Sequence, residues 1–355
     1  MNQNIPFALS YDDVLLVPQF SKINSRSDVD LAVQLSPRIK LSLPLTTAPM
    51  SDLTGVEMAI AIGKLGGLGF LHRFTSIEKQ ADMVEEVKKK KVQVGAAVGC
   101  REGYLERAEA LVKAGTDILL LDVTHGHMQK AINVTSKLKN MFGKHVDIMS
   151  GLVATGEGAK NLFKAGADCV HVGIGGGSIC TTRIAAGIGV PNITTILDAA
   201  KVARRLKKTI VADGGIKNSG DIVKSLAAGS SAVRAGNIFA GTNEAPGKII
   251  KKAGKTYKSY NASTSLAEKK NHVKTIKNTG KTYLYHIEGV KSIVPYKGPV
   301  SKIIKLIDAN LRAGFSYCGA KNIKELWKNA HFIRISQLGV KESGTHDVLV
   351  EKEKI

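Results

Sequence analysis

Aromatic residues are scarce in this chain, with nine Phe, eight Tyr and one Trp among 355 residues. So few stacking surfaces argue against a platform for single-stranded nucleic acid, and no DNA-binding motif is present. Cysteine is rarer still. Cys100, Cys169, Cys180 and Cys318 are scattered, with no CxxC pair. That pattern excludes a disulfide scaffold and a zinc ribbon, and fits a reducing, cytoplasmic compartment. No apolar run reaches the ~18–20 residues that span a bilayer. The start, MNQNIPFALSYDD, lacks the basic-then-apolar pattern of a secretory signal. His72, His125 and His127 have no accompanying carboxylate cluster and read as polar site or loop residues rather than metal ligands. Acidic residues are outnumbered, 30 against 51 Lys and Arg, for a net charge of +21. The excess is mostly lysine spread along the chain and reads as a solvated surface. It also suits the steering of an anionic small molecule; nonspecific nucleic-acid binding is the other charged partner it would serve.

What is present is a beat. Hydrophobic residues make up 43% of the chain, enough for a sizeable core. Short β-branched runs recur, predicting strands at Leu45–Ala48, Leu68–Leu71, Val94–Val98, Ile118–Asp122, Asp147–Gly151, Cys169–Val172, Thr209–Ala212 and Ala232–Ala235. Between most of them lie stretches with apolar residues at i, i+3, i+4, such as Arg101–Ala114 and Ser219–Ala228. Ala114-Gly115, Ala165-Gly166 and Ala228-Gly229 read as helix stops, because glycine tolerates the left-handed C′ position. Eight such units predict an α/β fold, a (β/α)8 barrel, with an open doubly wound sheet as the alternative. Residues 1–355 are then one barrel domain. The beat fails over residues 242–299, a lysine-rich insertion after the eighth strand, of the kind that forms lids or binding loops. A closing helix, Val300–Ala313, and a polar tail follow.

Barrel sites lie at the carboxyl ends of the strands, with phosphate commonly bound after strands seven and eight. DGGIKNSGD (213–221) and AGNIFAG (235–241) stand at those places, and their glycines let backbone N–H groups approach a phosphate. Asp213, at its strand tip, is placed to accept hydrogen bonds from ribose hydroxyls. The sixth strand leads into GIGGGSICTTR (173–183), which sets Cys180 at the catalytic face beside Arg183. By periodicity alone Cys180 reads equally as packing or as a nucleophile. Cys169, inside an apolar strand, and Cys318, after an aromatic pair, read as packing. Arg234, in the eighth strand, is odd for a barrel interior; it either points outward or reaches an anionic ligand.

YDDVLLVP (11–18), VGIGGGSICTTR (172–183), VADGGIKNSGDIVKSLAAG (211–229), FAGTNEAPG (239–247), VPYKGPV (294–300) and LRAGFSYCGA (311–320) together resemble the IMP dehydrogenase/GMP reductase family. The resemblance runs from about Leu9 to Val348. It implies a purine 5′-monophosphate substrate, a nicotinamide cofactor (NADPH or NAD) and a covalent bond between Cys180 and purine C2. It implies further that Ser178, Asp213, Gly215, Gly236, Asn237 and Tyr260 hold the nucleotide, and that Asp122 lies near purine and nicotinamide. Gly175, Gly177 and Cys180 match carbonyls of a potassium loop, completed in the family by a neighbouring subunit's segment, here around Glu342–Gly344. A homotetramer is implied too. The regulatory domain that most dehydrogenases of the family insert has no counterpart here, since Val87 runs through four lysines into VQVGAAVG (92–99).

The family contains two activities. The dehydrogenase activates water with an Arg-Tyr pair on its flap; no arginine occurs between Arg234 and Arg312. Thr182 and Glu288 match a Thr–Glu pair present in the reductase and in many dehydrogenases, and SRSDVDL (25–31) resembles the reductase. THGH (124–127), EAPG (244–247) and ESGTHDV (342–348) resemble the dehydrogenase. The missing base favours the reductase narrowly. Several positions depart from the family pattern: Leu152 for a usual asparagine, Gly176 for proline, Asn237 for serine, and NASTS (261–265) for a base-binding segment. These departures leave room for a diverged purine, and for a non-catalytic nucleotide- or nucleic-acid-binding protein as the remote alternative.

Overall fold

The computed structural model describes residues 5–275, 284–345 and 347–348. Eight parallel strands form one sheet: β1 (Leu45–Thr47), β2 (Gly69–Leu71), β3 (Val94–Val98), β4 (Ile118–Asp122), β5 (Asp147–Val153), β6 (Cys169–Val172), β7 (Thr209–Asp213) and β8 (Ala232–Ala235). From β2 to β8 each pairs with the next in sequence, and β8 pairs with β1. A parallel bridge between Thr46 and Leu68 closes the ring from β1 to β2. The fold is therefore the (β/α)8 barrel, not the open sheet. Its strands are buried on both faces, as a barrel wrapped by helices requires. The helix stops at Gly115 and Gly166 hold φ of 92° and 102°, a region that costs a residue with a Cβ.

Several boundaries differ from expectation. The helix expected from Arg101 begins at Tyr104, because Gly103 takes a φ of 84° just before it. The closing helix runs Val300–Tyr317, beyond Ala313. Gly314 does not end it: that glycine lies where the helix packs on Val223, whose Cγ2 would stand 2.8 Å from an added Cβ. The polar tail is structured in part. Ile323–Asn329 is helical, and Phe332–Arg334 pairs antiparallel with Val14–Leu16. Gln337–Glu342 forms a further helix against the turn Tyr11–Asp13. The insertion contains a three-stranded antiparallel sheet, β9 (Ile249–Lys252), β10 (Lys255–Ser259) and β11 (Ile293–Pro295), and a helix, Leu266–Thr275. Residues 276–283 of the insertion, and His346 of the ESGTHDV segment, lie outside the described residues.

A hairpin, Val33–Ser36 with Ile39–Leu41, covers the amino end of the barrel. Arg38 ties it down, donating its backbone N–H (2.7 Å) and Nη1 (2.6 Å) to the fully buried carboxylate of Asp147. Arg38 itself is half exposed, so the two partners are not equivalent. Removing the arginine strands a buried charge, whereas removing the carboxylate leaves a guanidinium that water can reach. Arg38→Ala is expected to cost about 2–3 kcal/mol of stability, more than Asp147→Asn costs, in urea denaturation monitored by circular dichroism.

Candidate active site

At the carboxyl end of the barrel lies a cavity of 380 Å³. The cysteine loop forms one wall, the turns after β7 and β8 the floor, and the insertion the far side. Ser178, Cys180, Asp213, Gly215, Gly236, Asn237, Tyr260 and Glu288 all line it, as does Gly177. The structure thus gathers most of the sequence-predicted residues, drawn from positions more than 100 apart, in one place. Thr182 stands behind Cys180 rather than in the cavity wall. Gly175 lies outside the lining, against the Arg183 side chain. Asp122, at the tip of β4, also lies outside it; its carboxylate faces Arg73 Nε at 3.8 Å. Glu342–Gly344 is at the end of the helix packed on Tyr11–Asp13 of the same chain.

The cysteine loop is held from both ends. Gly173 takes a φ of 135° so close to β7 that a Cβ would stand 2.3 Å from the Asp213 carbonyl oxygen. Further on, the loop is joined to residues 288–290. The backbone N–H of Thr181 donates to Glu288 O (2.9 Å), that of Val290 donates to Ile179 O (3.2 Å), and Cys180 bridges Gly289. Cys180 Sγ is 3.1 Å from Thr182 Oγ1, and Thr182 and Glu288 are both buried. Arg183, expected beside the thiol, donates instead to the Val190 carbonyl (3.1 Å). Cys169 and Cys318 are buried among apolar side chains, as expected. Burial pushes the Cys169 thiol up to about 12, which keeps it protonated and inert.

The two glycine turns present backbone rather than side chains. Gly214 and Gly215 hold φ of 82° and 76°, and Asn192 Nδ2 donates to the Gly214 carbonyl. Tyr260 is buried with its hydroxyl packed on Gly236, and burial raises its pKa. Lys297 Nζ donates to the carbonyls of Asn237 and Ile238. Lys258, buried itself, donates to those of Thr242, Asn243 and Ala245. Across the cavity, Lys269 Nζ donates to His286 O; burial lowers its pKa and nearby Glu288 opposes that shift.

Arg234 corrects one alternative. It does not point outward. Its side chain is 1% exposed and turns into the barrel, with Nη1 3.0 Å from Asp213 Oδ2 and 2.9 Å from His171 Nδ1. Strand register sets Arg234 directly beside Asp213. His171, Asn192, Lys258 and Lys297 were missed in the sequence. For His171 the signal was there: in CVHV (169–172) the pleat puts Cys169 and His171 on one face, and a polar residue in a fully buried strand needs a buried partner.

A parallel barrel with a glycine-rich cysteine loop and two glycine turns at the carboxyl ends of its strands defines a class of nucleotide-handling barrel enzymes. Residues 8–346 match the family described as the IMP dehydrogenase / GMP reductase domain. The chain is 34% identical to the inosine-5′-monophosphate dehydrogenase of Aquifex aeolicus, over 99% of this chain and 98% of that one. It is 31% identical to the GMP reductase of Leishmania major, over 97% and 98%. A crystal structure of a variant GMP reductase from Trypanosoma brucei, in complex with guanosine 5′-monophosphate, superposes with a TM-score of 0.92 at 29% identity, covering 98% of this chain and 99% of that one. The chain belongs to the IMP dehydrogenase/GMP reductase family of NAD(P)-dependent oxidoreductases.

Gly173→Ala is expected to cost about 1–3 kcal/mol through the strained φ, and more if the loop and β7 cannot part. Its melting temperature should fall, and the upward shift that a purine mononucleotide gives the parent protein should shrink.

Proposed function

We propose that the protein is a GMP reductase, converting GMP and NADPH to IMP and ammonia through a bond between Cys180 Sγ and purine C2. One observation carries this reading. The Cys180 thiol and Thr182 hydroxyl lie 3.1 Å apart in a loop tied to the buried Glu288, while the chain from 235 to 311 contains no arginine to activate water. Chemistry proceeds in two parts. Thr182 takes the thiol proton toward Glu288, and Sγ attacks C2. The electron pair goes to the adjacent ring nitrogen, and the amino group departs as ammonia with protons returned through Thr182 and Glu288. NADPH, when bound, would supply the hydride that C2 needs; release of IMP by cleavage of the carbon–sulfur bond would then return Cys180 as its thiolate.

Binding roles follow from the cavity. The backbone N–H groups of Gly215, Gly236 and Asn237, with the Ser178 hydroxyl, would receive the phosphate, Asp213 the ribose hydroxyls, and Tyr260 the sugar–phosphate side. Asp122, with Arg73, would face the nicotinamide. Carbonyls of Gly175, Gly177 and Cys180 suit a potassium ion, an oxygen-seeking cation, with a neighbouring subunit's Glu342–Gly344 region completing the site in a cytoplasmic homotetramer. The insertion, 242–299, would act as the flap of a single-domain enzyme. Alpha-helical and strand segments described here include no helix long and apolar enough to cross a membrane.

IMP dehydrogenase is the second reading. It is favoured by the names of most of the relatives and by Lys269, a buried ammonium near Glu288 whose lowered pKa suits it to take a proton from water. Absorbance at 340 nm in potassium buffer separates the two: a fall with GMP and NADPH alone supports the reductase, and a rise with IMP and NAD⁺ alone establishes the dehydrogenase. Cys180→Ala should fold, bind nucleotide and lose turnover by about a thousandfold or more. Glu288→Gln should lower kcat by about 10²–10⁴-fold with little change in nucleotide Kd; a weakened Kd with kcat intact would assign Glu288 to binding.

A further inference from the structure

Arg234 is a charge enclosed in the barrel. Its guanidinium lies over the Phe70 ring (5.0 Å), and Nη2 reaches Met149 Sδ (3.3 Å). Asp213 is its one carboxylate partner among the described residues. The hydrogen bonds fix the third member of the group. His171 Nδ1 stands 2.9 Å from Nη1 and 3.3 Å from Asp213 Oδ2, and its Nε2 lies 3.3 Å from the Leu121 carbonyl. Arginine only donates, so in the contact with Nη1 the ring nitrogen accepts. Arg234 Nη1 is the nearer nitrogen to Asp213 Oδ2, at 3.0 Å.

Asp213 is therefore oriented from below. Oδ2 is taken, whereas Oδ1 accepts no hydrogen bond among the described residues, and the side chain, 21% exposed, lines the cavity. Burial is the largest single influence and would raise the pKa of this carboxyl; the Arg234 guanidinium leads the opposing influences, His171 adds to it, and together they hold the carboxyl below the usual range. The result is an ionised acceptor with one oxygen fixed inward and the other offered to the ligand.

We infer that Arg234, with His171 fixing its guanidinium, is a positioning residue that makes Asp213 a selective acceptor for vicinal ribose hydroxyls, so that the site discriminates ribonucleotides from deoxyribonucleotides through a residue set behind the carboxylate that meets them. This deepens the proposed function and rests on it. The test measures Kd for GMP and 2′-deoxy-GMP by calorimetry in the full-length protein, Arg234→Met, Asp213→Asn and the double variant. The parent should prefer GMP by about tenfold or more, the factor a charge-assisted hydrogen bond carries. Arg234→Met should lose most of that preference while its affinity for 2′-deoxy-GMP changes little, and adding Arg234→Met to Asp213→Asn should remove nothing further. A folded Arg234→Met that keeps the parent's preference, or that weakens both ligands equally, overturns the inference. Should that variant not fold, Arg234→Lys is read in its place. Its ammonium is a point charge on a different stem and lacks the rigid planar group that sets Nη1 between His171 and Asp213 while Nη2 rests on Met149, so part of the preference should go, and an undiminished preference overturns the inference. A parent protein that binds neither GMP nor IMP overturns the proposed function itself, which separates the two failures.

Discussion

A guanidinium inside a barrel has to be answered by a carboxylate, and much of the site follows from that single requirement. Arg234 on β8 is beside Asp213 on β7 in register, so the pair forms as soon as the two strands do. Losing either member leaves the other without its counter-charge. The pair lines the base of the cavity. Around it, β2 contributes Phe70, β5 contributes Met149 and β6 contributes His171. The barrel interior here is thus an ordered polar group set among apolar side chains, and Asp213 carries it to the cavity lining.

Everything above that base is loop. The cysteine loop, the two glycine turns and residues 288–290 have few side-chain contacts of their own and depend on backbone proximity. Gly173 approaches the Asp213 carbonyl, and a Cβ on Gly214 would stand 3.2 Å from Gly177 N. Small residues at these places let three separate stretches of chain share one small volume. That economy of side chains leaves backbone amides facing the cavity, the chemistry an anionic ligand requires.

The eight barrel strands were legible from their β-branched runs: four have the bounds the reading gave them, and the other four depart from it by one or two residues at one end. The short outer pairings were not. Val14–Leu16 and Phe332–Arg334 are three residues each and lie over 300 positions apart, so nothing local in either announces its partner. Cys180, Glu288 and the glycine turns could be found through their strand positions and the family resemblance. Arg234 could be found only as an anomaly, because its meaning depends on a register between strands that a sequence does not print. Lys258 and Lys297 were hidden for a different reason: in a chain with 51 basic residues, two more lysines in a lysine-rich insertion look like surface.

Those lysines are not idle surface: Lys258 is buried, and the exposed Lys297 is still tied to backbone. Lys258 and Lys297 direct their ammonium groups at backbone carbonyls, three for Lys258 and two for Lys297, and Lys269 does the same toward His286. An ammonium hydrogen-bonded to carbonyl dipoles and buried, as those of Lys258 and Lys269 are, is poorly reached by dissolved ions. The many exposed lysines are in the opposite situation, since their long-range attraction on an anionic nucleotide is screened within about 10 Å at ordinary ionic strength. Rising ionic strength therefore acts unevenly on this molecule. It slows the arrival of the nucleotide while leaving the seating of the insertion over the cavity nearly untouched, so the encounter is salt-dependent and the architecture that receives it is not.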